Sequence, residues 1–150
     1  MQRWKLLTTA PLTPHQLTVF HARHKLIAMS HDQEETRKLG RLAASASKNN
    51  IVDITQQYGL TLMACLKKIA SRGNHVNVLQ HIQGYLKTQL DADDKVELIN
   101  TIERYRLGLL PLIVPITLLR HHFRKAPDPF IKDSLYMSPY PEELCALNEI

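Results

Sequence analysis

The chain has 150 residues, 44% of them hydrophobic and 22% charged, a balance that excludes a disordered polyelectrolyte and fits one compact domain. Nineteen lysines and arginines outnumber 14 acids, giving a net charge of +5, so a polyanionic partner is favoured over a cationic one. The two cysteines, Cys65 and Cys145, stand far apart and form neither a disulfide framework nor a CxxC metal pattern; reduced thiols and a cytoplasmic location are expected.

The opening M-Q-R-W-K-L-L-T-T-A-P has too short an apolar stretch for a signal peptide. Thr13-Pro14-His15-Gln16 reads as a capping box with proline at the first helical position. Leu17, Phe20, His24 and Ile27 then form a stripe at helical spacing, ending near Met29. Asp32 with Glu35 caps a second helix whose apolar face is Leu39, Leu42, Ala43 and Ala46, ending near Lys48. Asn50 opens a third, with Ile51, Ile54, Tyr58, Leu62, Cys65 and Ile69 inward and Gly73 as its stop. Asn74 is the expected cap of a fourth helix ending near Leu90. Asp91 and Asp94 start a fifth, with Leu98, Ile99, Ile102, Tyr105 and Leu109 inward, broken by Gly108 and Pro111.

A sixth helix is expected from about Pro111 to Lys125. The uncharged run from Leu107 to Leu119 is too short for the ~20 residues of a membrane span and carries two prolines, so it reads as buried core. It passes at once into R-H-H-F-R-K, so a core element holds a basic cluster in place. Beyond Pro127 an irregular, proline-rich strap follows, with a short helix expected from Pro141. The pattern predicts an all-α single-domain bundle of about six helices, with its core spanning about 12–144.

The charges are unevenly distributed. No Asp or Glu occurs from Met1 to His31, nor between Asp53 and Asp91; the acids gather at Asp32 to Glu35 and Asp91 to Glu97, where helices begin. Four constellations remain as candidates. Arg120, Arg124 and Lys125, with His121, end the sixth helix; arginines at i and i+4 can contact one phosphate or two adjacent ones, whereas a solvated, dipole-stabilised helix end is the plainer account. Lys67, Lys68 and Arg72 would extend a positive track, or form an ordinary solvated face. His21, Arg23 and His24 lie in F-H-A-R-H-K, where a hydrogen-bonded interior histidine is the simpler reading. The fourth is the uncharged face Asn74, Asn77, His81, Gly84 and Thr88, with Gln80 beside it; amides there can read base edges or pack against a neighbour. Candidates for base stacking are Tyr85, Tyr105, Phe123, Tyr136 and Tyr140. No HxxxH, HExxH, glycine-rich phosphate loop or paired catalytic carboxylates occur, so no catalytic residue, metal or cofactor is assigned.

The strings F-H-A-R-H-K, G-N-H-V-N-V-L-Q-H-I-Q-G-Y-L-K, I-E-R-Y-R-L-G-L-L-P-L-I-V-P-I-T-L-L-R-H-H-F-R-K and Y-M-S-P-Y-P-E-E-L resemble the YbgA-like bacterial family of unknown function. Members of that family occur alone or joined to an iron–sulfur desulfidase domain that removes sulfur from thiolated uracil, and the joined forms are associated with 4-thiouridine in tRNA. The resemblance implies a non-catalytic accessory module that binds RNA, with tRNA as the candidate, and helps present it to such an enzyme. Two cysteines cannot hold the desulfidase cluster, so such an enzyme would be a separate protein. Arg120, Arg124, Lys125, Lys67, Lys68 and Arg72 would then contact phosphates, and His21, Arg23, His24, Asn77, Gln80, His81 and His121 would line the selective surface. A small enzyme with a histidine-rich pocket for an anion and a protein-interaction module are the alternatives.

Overall fold

The computed structural model of the chain describes residues 12–137. Within them lie seven α-helices, one 3-10 turn and no strand: α1 Pro14–His31, α2 Gln33–Ala44, α3 Ile51–Lys67, α4 Arg72–Gly84, α5 Ala92–Arg106, α6 Ile113–Lys125, α7 Pro129–Asp133 and the 3-10 turn Leu135–Met137. The fold is an all-α bundle.

Five of the seven helices among the described residues start where a side chain accepts from backbone N–H groups that have no intrahelical acceptor; α3 and α6 have no such cap. At α1 the Thr13 hydroxyl accepts from the Gln16 N–H at 3.1 Å, and the Gln16 side chain accepts from the Thr13 N–H at 3.0 Å, closing the expected box. Asp32 and Asp91 cap α2 and α5 as expected, each accepting at 2.8 Å from the N–H of the residue three positions on. At α4 the structure corrects the sequence reading. Ser71, not Asn74, is the cap, and Asn74 Nδ2 instead donates to the His31 carbonyl at 3.2 Å. Gly73 therefore lies in the first turn of α4 and does not stop α3, which ends at Lys67. Ile69, expected inward, is 79% exposed in the connection. Asn50 stands at the start of α3 but donates and accepts within the 45–50 turn, bonding the Ser45 carbonyl and the Ser47 N–H.

Helix α4 ends at Gly84, short of Leu90. In α5 the buried residues are Leu98, Ile102 and Tyr105, whereas Ile99 and Leu109 are exposed. Its end is a Schellman motif: Gly108 takes a φ of 80°, and the N–H groups of Gly108 and Leu109 donate to Tyr105 and Arg104 carbonyls, both at 2.9 Å. Pro115 lies in the first turn of α6, where a missing N–H breaks no helical bond. The strap holds α7, which starts at Asp128 with Pro129 at its first position and an Asp128 Oδ1 contact from the Ile131 N–H at 3.1 Å. The helix expected from Pro141 lies outside the described residues.

Two apolar clusters organise the bundle. Leu17, Phe20 and Ala28 of α1 pack with Leu39, Ala43, Ile54, Tyr58, Leu62 and Cys65 of α2 and α3. Leu26, from the same helix, packs instead with residues of α4, α5, α6 and α7 and with Tyr136. Helix α1 is thus the shared wall between an α2–α3 layer and an α4–α7 layer. No helix of the described residues is long and apolar enough to cross a membrane.

Candidate functional site

The apolar half of α6 is seated by Pro115, Ile116, Leu119 and Phe123, all buried. Burial of those four side chains fixes the rotation of the helix, and this determines where its basic residues emerge. Arg120 is partly buried and lines open grooves on both flanks of the helix end. One groove includes Thr117, His121 and Arg124; the other includes Phe123, Arg124, Asp128 and Lys132. Burial lowers the guanidinium of Arg120 from its ordinary value. Arg124 and Lys125 are exposed, and an Arg124 guanidinium N–H lies 3.2 Å from His121 Nδ1. His122, adjacent in sequence, points the other way and is buried.

The second positive group separates on folding. Lys68 pairs with Asp32 Oδ2 at 2.8 Å, holding that carboxyl below its usual range, while Asp32 Oδ1 caps α2. Arg72 donates to the Tyr105 carbonyl at 2.7 Å and sits 4.8 Å over the Tyr105 ring, so it staples α4 to α5. All three are exposed, but among the described residues Lys68 is held by a carboxylate and Arg72 by Tyr105, whereas Lys67 forms no ion pair.

The histidines of the candidate polar site do not share one pocket. His21 Nδ1 bonds the Tyr58 hydroxyl at 2.8 Å on the α3 side, and burial, followed by Lys25 and His24, lowers its pKa to about 4. His24 stacks on Phe20 at 3.9 Å and bonds the Phe20 carbonyl. His81 is exposed on α4, edge-on to Tyr85 with centroids 5.9 Å apart; burial and then Lys25 lower its pKa. His121 belongs to the end of α6. Arg23, Asn77 and Gln80 are all exposed. Among the described residues, no group of three or more His, Cys, Asp or Glu could hold a metal ion.

Two features escaped sequence reasoning. His75 is fully buried and bonds the Tyr136 hydroxyl at 2.8 Å, tying the start of α4 to the 3-10 turn; its place on the stripe His75, Val78, Leu79, Ile82 was readable. Phe130 stacks on Tyr85 at 5.5 Å, and the Asp128-Pro129 pair before it was a legible helix start.

Residues 25–141 match the family described as "Protein of unknown function (DUF1722)". The chain belongs to the DUF1722 family. It is also similar to the "Uncharacterized protein YbgA" of Escherichia coli (strain K12), 33% identical over 131 residues that cover 87% of this chain and 78% of that protein. No solved structure matches the chain. The DUF1722 match is narrower than the 12–144 core expected from the sequence. It begins at Lys25, inside α1, and includes all of α2 to α7, so the basic end of α6 and the exposed face of α4 fall within it, while His21, Arg23 and His24 fall outside.

Proposed function

We propose that this DUF1722 protein is a non-catalytic RNA-binding accessory module of the cytoplasm that presents tRNA to a separate iron–sulfur desulfidase. The observation that carries the reading is the end of α6, where a helix locked by its apolar face displays Arg120, Arg124 and Lys125 within two turns. A helix dipole accounts for cations at a C-terminus, which explains Arg124 and Lys125. It does not by itself account for Arg120, which stands one turn earlier, is partly buried and lines the grooves on both flanks of the helix end.

The distribution of acids supports the same reading. The four described ion pairs are Arg37–Glu34, Lys38–Glu35, Lys68–Asp32 and Arg106–Glu103, on α2, the end of α3 and α5. Among the described residues no carboxylate pairs with Arg23, Lys25, Lys67, Lys87, Arg124 or Lys125, which is compatible with a polyanionic partner. Exposed Asn77 and Gln80 offer donors and acceptors for base edges.

The test is tRNA affinity measured against salt for the wild type and an Arg120→Ala, Arg124→Ala double variant, with helicity checked by circular dichroism. The double variant is expected to bind about tenfold more weakly at low salt, with a log–log salt slope shallower by about 1 to 2. Equal affinity and equal slope would remove the assignment.

A further inference from the structure

We infer that Tyr85, stacked on Phe130 and flanked by His81, is a platform for one unstacked base of a single-stranded RNA segment; this rests on the RNA-binding reading above. Of the five aromatic side chains considered for stacking, Tyr105, Phe123 and Tyr136 are buried and Tyr140 lies outside the described residues, whereas Tyr85 keeps 38% of its surface in solvent. The rings of Tyr85 and Phe130 are 5.5 Å apart and 21° from parallel, so a residue from α7 sets the plane of the residue that caps the end of α4 before any ligand arrives. Fixing that plane in advance lowers the ordering cost of stacking a third ring.

The surroundings suit a nucleobase better than an aliphatic ligand. Asn77 and His81 on the exposed face of α4 and Tyr85 at its C-cap succeed one another at four-residue intervals. Burial and the nearby Lys25 favour the neutral form of His81, which presents one ring N–H and one lone pair, the pairing a base edge requires. The Asn77 amide adds a second donor and acceptor. Gly84, next to Tyr85, leaves open space where a side chain would stand. Lys25 supplies positive charge beside this face from α1; the groove between α6 and α7 is lined by Arg124 and Lys132 together with Asp128, whose carboxylate also acts on Tyr85. A base held in an A-form duplex is stacked on both faces and cannot reach such a platform, so the occupant is a loop, bulge or single-stranded end.

The experiment uses the full chain and two RNAs of equal length: a hairpin with 2-aminopurine in its loop, and a blunt duplex. Wild type is expected to quench the loop 2-aminopurine on binding. Tyr85→Ala should lose the quenching and about tenfold in hairpin affinity while binding the duplex as wild type does; Tyr85→Phe should behave as wild type. If Tyr85→Ala binds both RNAs like wild type, with full quenching, the platform is wrong and the basic-surface reading stands. If wild type binds neither RNA with a salt-dependent affinity, both are wrong.

Discussion

His75 lies on the buried side of α4, 0% exposed, with Nδ1 on the Tyr136 hydroxyl and Nε2 without a partner among the described residues. Burial, then His31 and Arg72, lower its pKa to about 4, and His21 is lowered to about 4 as well. In the unfolded chain both rings titrate near 6.5, so between about pH 6.5 and 4 the unfolded state binds more protons and stability falls as pH falls. Above that window the two rings contribute no pH dependence. The unfolding free energy from urea titration should therefore drop between pH 7 and 5, by on the order of 2 kcal/mol for the two rings together after allowing for partial solvent screening, with the urea midpoint falling in step, and His75→Gln should flatten part of that slope. A midpoint unchanged over this range would contradict the burial of both rings. Cys65 gives a second residue-scale expectation. Its thiol donates to the Ala28 carbonyl at 3.4 Å and burial raises its pKa, so peptide mapping after thiol labelling at pH 8 should find Cys65 unmodified until denaturant is added.

At the scale of elements, helix ends were legible wherever the signal is local. Thr13 with Gln16, Asp32, Asp91 and Gly108 each act through a neighbour within five residues, and each does in the structure what its type and spacing imply. Gly108 adopts a positive φ at the end of α5, so Gly108→Ala should lower stability by about 1 kcal/mol or more, read as a shift in thermal midpoint without loss of helicity. An unchanged midpoint would mean that the turn relaxes freely. The α3–α4 connection was not legible, because distant partners decide it. The spacing of Ile69 continues the α3 stripe, yet the chain leaves the helix at Lys68, where the Lys68 carbonyl meets His31 Nδ1 at 2.6 Å and the Lys68 ammonium meets Asp32. Those contacts join residues more than 30 apart in sequence, and no local pattern encodes them.

At the scale of the molecule, α1 serves two cores at once: Leu17 is buried against α2 and α3, and Leu26 against α4 to α7. Neither layer can lose its contacts with this helix alone, so unfolding is expected to be a single transition. Leu17→Ala and Leu26→Ala should each cost roughly 2–5 kcal/mol and move far-UV and near-UV signals together. Separate transitions in either variant would show that the layers are independent. The same arrangement explains why only part of the candidate site could be read in advance. The basic end of α6 belongs to one helix with one apolar face, so its exposure followed from the pattern. The histidines of α1 could be placed only once both of its sides were known: His21 reaches Tyr58, and His24 lies on Phe20.

Gly84 ends α4 beside Tyr85, and a Cβ there would meet nothing within 4 Å. Its φ is not in the left-handed region, so an L-residue fits the backbone without strain. A cysteine introduced there, in a chain whose native Cys65 is sheltered and whose Cys145 has been replaced by serine, would carry a photo-crosslinker directly beside the aromatic face. Position 84 thus becomes an anchor for covalent capture, so that whatever rests on α4 can be recovered and sequenced, whether or not it is RNA.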